Sequence, residues 1–209
     1  MAIFPGSAIP SAVSDYEIDN SLRFDDGDTP YMSWTPSAAN SVRTKWTISA
    51  WVKLGAIGTT RDILSAGDGA GKEMSFGIGS TNHFAVYNYT SGDDFRVITS
   101  AVLRDPSAWY HLLCRYDSTD GTTNDRVQLF INGVRQDLGT NTQPSSSFSG
   151  DFWSYNGEHF ISSYPLSRTN YYDGYLAEVY SIDGTAYTAS DFGELDSTTN
   201  QWIPLDSDD

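Results

Sequence analysis

From Trp46 to Leu54 the chain reads WTISAWVKL, and apolar residues recur at every second position. Trp46, Ile48, Ala50, Val52 and Leu54 share one side of an extended strand. Thr47, Ser49, Trp51 and Lys53 share the other. Successive strand side chains point to opposite faces, whereas an amphipathic helix would repeat about every 3.6 residues. The stretch therefore predicts a strand with one face in a core. One strand is not stable alone, so the rest of the chain must supply partners.

Those partners are visible. NDRVQLFINGVRQ alternates through Val127, Leu129 and Ile131 and then meets Asn132-Gly133. That pair supplies the positive φ angles of a tight two-residue hairpin turn. SLRF runs into the turn signal DDGD. DILSAG, EMSFGIG, HFAVYNY, FRVITS and WYHLLCRYD follow as short strands, and GEHFISSY and DGYLAEVYSID close the series. TASDFGEL predicts one helical turn, capped by Thr188 or Ser190. Short strands spaced by about 8–12 residues predict an all-β sandwich of two antiparallel sheets. Its expected extent is residues 21–205, one core for a chain of 209 residues. Residues 1–20 hold Pro5, Gly6 and Pro10 among small side chains without a period, and read as an extended arm. Residues 206–209 read as an acidic tail.

Charge narrows the partners. Acidic residues outnumber Lys and Arg by 27 to 12, a formal net charge of −15. Such a surface repels phosphate backbones, so nucleic acid is not an expected partner. No apolar run reaches the roughly 18 residues of a spanning helix, so membrane insertion is not expected. The N-terminal stretch MAIFPGSAIPSAVSDY has no basic start and no long apolar run, so a secretion leader is not expected. Cys114 is the one cysteine. It excludes an intrachain disulfide, and its place in WYHLLCRY predicts a buried strand residue.

Four stretches resemble the laminin-G-like branch of the concanavalin A-like lectin/glucanase superfamily. SLRFDDGDTPYMS is similar to that family's first strand, and WTISAWVK to its FTISAWVK strand. WYHLLCRYDSTDGTTNDRVQLFINGVRQ resembles its central hairpin, and DGYLAEVYSIDGTAYTASDF its closing strand. The resemblance covers residues 21–193 and departs at Ala177, where the family usually has Asp. It implies a jelly-roll sandwich. A narrower resemblance, carried by residues 16–53 and 173–205, is to single-domain virion proteins of tailed bacteriophages, especially marine ones. It implies a virion component, tail-associated or displayed on the capsid.

Catalysis finds little support. Glucanases of this superfamily carry E-x-D-x-x-E, whose alternate carboxylates face one cleft. The nearest match begins at Glu194 and Asp196 and has Thr199 in place of the third acid. GDGAGKE, from Gly67, fails as a phosphate loop because Glu73 stands where Ser or Thr is needed. His83, His111 and His159 share no zinc spacing. His111 alternates with Trp109 and Leu113 and reads as filler of a sheet face. No catalytic residue is assigned.

Two binding chemistries remain. Calcium takes several oxygens converging from loops. Asp25, Asp26 and Asp28 form one candidate cluster; Asp117, Asp120, Asn124 and Asp125 form the other. Glycan sites set aromatic faces beside Asp or Asn. Trp153, Tyr155, Asn156, Tyr171, Tyr172 and Asp173 are the candidate platform, and Tyr87 and Tyr89 flank Asn88 in a second group. Ile3, Phe4 and Ile9 give the arm apolar anchors for assembly with copies of the chain or other virion proteins. The expectation is a non-enzymatic virion surface protein that binds host-surface glycans. A free carbohydrate-binding lectin module is the runner-up, and a glycan-cleaving enzyme comes third.

Overall fold

A computed structural model of the chain describes residues 16–39, 41–67, 71–149 and 157–205. Ile3, Phe4, Ile9, Trp153, Tyr155 and Asn156, with most of the arm and the acidic tail, lie outside the described residues. In chain order the strands are β1 (Leu22–Phe24), β2 (Met32–Trp34), β3 (Lys45–Leu54), β4 (Arg61–Gly67), β5 (Glu73–Ile78), β6 (His83–Tyr89), β7 (Asp93–Val102) and β8 (Trp109–Asp117). They continue as β9 (Val127–Ile131), β10 (Val134–Arg135), β11 (Leu138–Thr142), β12 (Glu158–Ile161), β13 (Gly174–Asp183), β14 (Gly193–Leu195) and β15 (Trp202–Pro204).

A six-stranded sheet runs β1-β13-β3-β8-β9-β10 and a seven-stranded sheet runs β11-β7-β6-β5-β4-β12-β2. Both are antiparallel throughout, and together they form a jelly-roll sandwich. β14 and β15 make a separate two-stranded ribbon. The alternation in β3 explains the layer between the sheets. Trp46, Ile48, Ala50, Val52 and Leu54 all face inward with at most 3% exposure. They meet Phe76, Phe84, Val86 and Phe95 from the opposite sheet, and Trp46 stacks on Tyr116 at 4.7 Å. Cys114 is fully buried in this core.

The local signals hold at the turns. Asn132 (φ 49°) and Gly133 (φ 77°) turn β9 into β10, with Ile131 opposite Val134. Thr188 and Asp191 exchange hydrogen bonds as a capping box, closing a single 3-10 turn, Ala189–Asp191. In β13 a bulge between Ala177 and Tyr180 sets Glu178 at φ 46°, where its carboxylate accepts from Tyr16 and Tyr180 hydroxyls. This bond ties the start of the described chain, at Tyr16, to the six-stranded sheet.

The outward faces are less exposed than alternation alone implies. Thr47, Ser49 and Trp51 are at most 7% exposed, although they point away from the core. The segment after β13 folds back over them. Trp202 of β15 reaches His111, and its ring lies where Gly133 and Gly193 have no side chain. A Cβ on either glycine would come within 2.6 Å of that indole.

Candidate functional site

The pairing register fixes which side chains share the outer face of the seven-stranded sheet, because directly opposed residues point the same way. One row crosses six strands as Thr142, Arg96, Tyr87, Ser75, Ser65 and Phe160. The adjacent row is Tyr89, Glu73, Gly67 and Glu158. Small residues thus form a floor in the middle, and Tyr87, Tyr89, Arg96 and Glu73 rise beside it.

The segment from Ser162 to Tyr171 lies down on that floor. Ser65 Oγ donates to Ser163 O at 2.5 Å, and Ser162 N donates to Ile63 O at 3.0 Å. Asn170 Nδ2 donates to Asp62 Oδ2 at 3.0 Å, and Asp62 N returns a bond to Asn170 O at 2.9 Å. Pro165 occupies the space over Gly67, where a Cβ would meet it at 2.6 Å. Arg168 anchors the far side: its guanidinium sits 3.9 Å from the Phe160 ring centroid and 2.9 Å from Glu158 Oε2. The result delivers the Tyr164 hydroxyl to Glu73, to which it donates.

Tyr87, Tyr89, Tyr164, Arg96 and Glu73 therefore stand together, each half-buried. Arg96 lies over the Tyr87 ring at 4.5 Å and grips Asp93 through Nε at 2.8 Å and Nη2 at 3.0 Å. Those bonds hold the Asp93 carboxyl below the usual range and push the guanidinium pKa higher still. Burial, then Asp62 and Glu73, raises the Tyr87 phenol; burial and the bond to Glu73 raise that of Tyr164. Beneath them Asp62 is 2% exposed and accepts from Ser75 and Asn170. Burial lifts its carboxyl to about 6 against those two hydrogen bonds, with Glu73 adding to the rise. The face offers planar rings, hydroxyl and guanidinium donors and a carboxylate acceptor. Asp62 is sealed from anything that docks there, so it cannot pair with Glu73 as an acid and nucleophile on a substrate.

Of the expected aromatic platform, the described residues Tyr171, Tyr172 and Asp173 do not share one surface. Tyr172 is fully buried, edge-on to Phe24 at 6.3 Å, with its hydroxyl donating to Lys53 O at 2.9 Å. It belongs to the core because adjacent residues of an extended segment point opposite ways. Tyr171 turns outward instead, 6.5 Å from Tyr31. In HFAVYNY the same alternation puts Tyr87 and Tyr89 outside and Asn88 inside, 1% exposed. Alternation in that strand was the signal for this site. Its connection to Glu73, Arg96 and Tyr164 needed the register.

Asp173 joins the acids instead of the rings. β1 pairs with β13, Phe24 opposite Gly174, so the turn after β1 meets the residue before β13. Asp25, Asp26 and Asp173 bring carboxylate oxygens within 4.8 Å of one another, without Asp28. Burial and Asp26 raise the Asp173 carboxyl. Such all-oxygen donors suit calcium, and these three residues would hold it. Two guanidinium groups already stand there, Arg23 at 3.2 Å from Asp25 and Arg61 at 2.9 Å from Asp26. The second predicted cluster is not gathered into a ligand set. Asp117 pairs with Lys45 at 3.0 Å, and Asp125 with Arg135 at 2.5 Å. Asp120 accepts from Thr122 N, and Asn124 Oδ1 from Asn141. Each is spent on its own turn, on an ion pair or, for Asn124, on a neighbouring strand. Asp196, of the partial glucanase pattern, accepts from Thr198 N, Thr199 N and the Thr199 hydroxyl, closing a turn.

On the other sheet, a cavity of about 420 Å³ runs between the 16–21 segment and β15, lined by Trp51, Trp109 and Trp202. It is a seam where both ends of the described chain dock. The indole N–H of Trp202 is already committed to His111 Nδ1 at 3.1 Å.

Known structures share this architecture at low sequence identity. The CBM40 of a Ruminococcus gnavus IT-sialidase, bound to α2,3-sialyllactose, superposes with a TM-score of 0.54 at 12% identity, over 76% of this chain and 94% of that one. Domain 4 of the arabinanase AbnA from Geobacillus stearothermophilus, in complex with arabinotriose, gives 0.51 at 16%, over 69% and 63%. Domains LG4-5 of the mouse laminin α1 chain give 0.55 at 11%, over 87% and 48%. These likenesses establish the fold. Among curated proteins, none matches the chain. The concanavalin A-like lectin/glucanases family model matches residues 26–191, which span β2 to β13 and the capped turn that follows; the chain belongs to that superfamily.

Proposed function

We propose that the protein is a non-enzymatic glycan-binding domain carried on the surface of a bacteriophage virion. The observation that carries the glycan reading is the group on the seven-stranded sheet: Tyr87, Tyr89 and Tyr164 around Glu73 and Arg96. Rings can lie against sugar C–H surfaces, and the guanidinium, phenols and carboxylate can meet hydroxyls. Pre-bonded, packed side chains lose little freedom on binding. Arg96 is neutralised by Asp93, and the chain carries −15, so neutral glycans are the expected ligands. Two structural neighbours hold oligosaccharides in their own complexes, α2,3-sialyllactose and arabinotriose. The virion placement rests on the resemblance of residues 16–53 and 173–205 to phage proteins, either as capsid decoration or on the tail.

A glycan array followed by calorimetry tests the first half. Tyr87→Ala and Arg96→Ala are each expected to weaken binding about tenfold or more, a loss of about 1.4 kcal/mol. Loss on Trp109→Ala with Tyr87→Ala unaffected would move the site to the seam. No ligand on the array would end the glycan reading. For the second half, antibodies against the protein should decorate purified particles of the phage that encodes it. Recovery only in the soluble lysate would end it.

A further inference from the structure

Four strands end the two large sheets, and they differ in what they present. β1 carries Arg23, and β10 carries Arg135. β11 follows Asp137 and shows Gly139, Asn141 and Thr142 to solvent. β2 is unlike these. Its three residues are all exposed, with Met32 at 50% and Trp34 at 40%, and Tyr31 just before it at 46%. No charged residue occurs from Thr29 to Val42, in a chain with 27 acids and 12 bases.

The rings at this edge are supported from behind. Trp34 stacks on His159 at 5.2 Å, and Tyr31 meets Phe160 at 6.2 Å. The nearby charges Arg168 and Glu158 satisfy each other. Beside β2 the sandwich opens into a mostly apolar groove of about 400 Å³, lined by Leu22, Phe24, Met32, Ile161 and Leu176, with Glu178 also in its wall. Among the described residues β2 pairs with β12 alone, along one side. Pro30 and Pro36 fall outside Tyr31–Thr35, so the free side keeps every N–H. An apolar edge without a charged residue, left unpaired among the described residues, is a template for another strand.

The charge argument selects the occupant. Two molecules of net charge −15 repel over most of their surfaces. A two-fold contact brings a patch against itself, so an uncharged patch is what such a chain needs in order to self-associate. We infer that two copies of this chain pair through their β2 edges, antiparallel and centred on Ser33, joining two seven-stranded sheets into one. In that register Met32 lies opposite the partner's Trp34, an apolar–aromatic cross-strand pair. The inference is independent of what the glycan face binds.

Sedimentation velocity on the whole chain tests it. The wild type should show a species at twice 23.0 kDa that grows with concentration. Trp34→Glu and Met32→Lys should each weaken dimerisation about tenfold or more. Leu195→Glu, at an exposed position on β14, should change nothing. Ser33→Cys should give a disulfide-linked dimer on mild oxidation, since Cys114 is buried and cannot compete. A wild type that stays monomeric at every concentration overturns the inference, as does a dimer that survives Trp34→Glu. If Trp34→Glu does not fold, the Ser33→Cys variant decides, and failure to cross-link overturns it.

Discussion

Each sheet hides the middle of its outer face, and the two do it with different chemistry. The six-stranded sheet is covered by an aromatic ribbon: Phe192 and Trp202 lie over His111, with ring centroids 6.2 and 6.0 Å from the imidazole. The seven-stranded sheet is covered by a polar loop that hydrogen-bonds Ser65 and Asp62. Both covers bury a titratable group, a base under one and an acid under the other. His111 is 0% exposed and Asp62 is 2% exposed. Burial penalises the charged form in each case, so it lowers the imidazole to about 4 and raises the carboxyl to about 6. The same desolvation therefore gives the two faces opposite responses to acid.

Removing the ribbon's anchor should have the largest effect. Trp202 fills the space over Gly133 and Gly193. Trp202→Ala is expected to cost about 3 kcal/mol in urea denaturation, the low end for an aromatic deletion because the ring is half-buried. Tyr164→Ala on the other cover should cost about 1 kcal/mol, since chiefly a hydrogen bond to Glu73 is lost. Equal costs would mean that the two covers are energetically alike and that the contrast in packing has no consequence.

The acid limb comes next. Trp202 can only donate, so His111 Nδ1 accepts and Nε2 carries the proton towards Ser49 Oγ at 2.7 Å. Protonating Nδ1 would set two donors against each other. The unfolded imidazole takes its proton near 6.5, and the folded one only near 4. Stability from this site is present above 6.5 and is lost as pH falls towards 4, by at most about 3 kcal/mol. His111→Gln should flatten that limb in denaturation curves measured across the window. An unchanged limb would mean that another group causes the acid loss.

Much of this architecture is legible in the sequence where the physics is local. The inward face of β3, the Asn132-Gly133 turn and the Thr188 cap depend on neighbours a few residues away, and His111 fills a sheet face as its alternation suggested. The seven-stranded site depends on register between distant strands. Tyr87 meets Ser75 and Arg96, but Tyr164 reaches Glu73 across 91 positions. No pattern within one segment reports that. Turn residues around Tyr171 and Tyr172 marked an extended connection without saying which ring faces in. The acidic trio was hidden in the same way: the sequence set Asp173 beside the rings, and only the pairing of β1 with β13 brings it to Asp25 and Asp26.

Asp62 separates the two faces most cleanly. Asp62 would lose its proton near 3.8 in the unfolded chain, whereas the folded chain keeps it to about 6. Its contribution is full below 3.8 and is lost as pH rises through 6, the reverse of His111 and in an overlapping window. In the wild type the two limbs partly cancel, so a flat profile there would hide both. Asp62→Asn removes the charge while an amide can still accept from Asn170 and donate to Ser75 Oγ. It is expected to stabilise the protein by about 1–2 kcal/mol at pH 7, less than the full desolvation cost because a charge-assisted bond is also lost. With the compensating limb gone, the variant should lose stability more steeply between pH 6 and 4 than the wild type does. The double variant with His111→Gln should be nearly level there. A destabilised Asp62→Asn at pH 7 would mean that the carboxylate is ionised and held by its hydrogen bonds. The seven-stranded cover would then resist acid no better than the six-stranded one, and the contrast between them would fail.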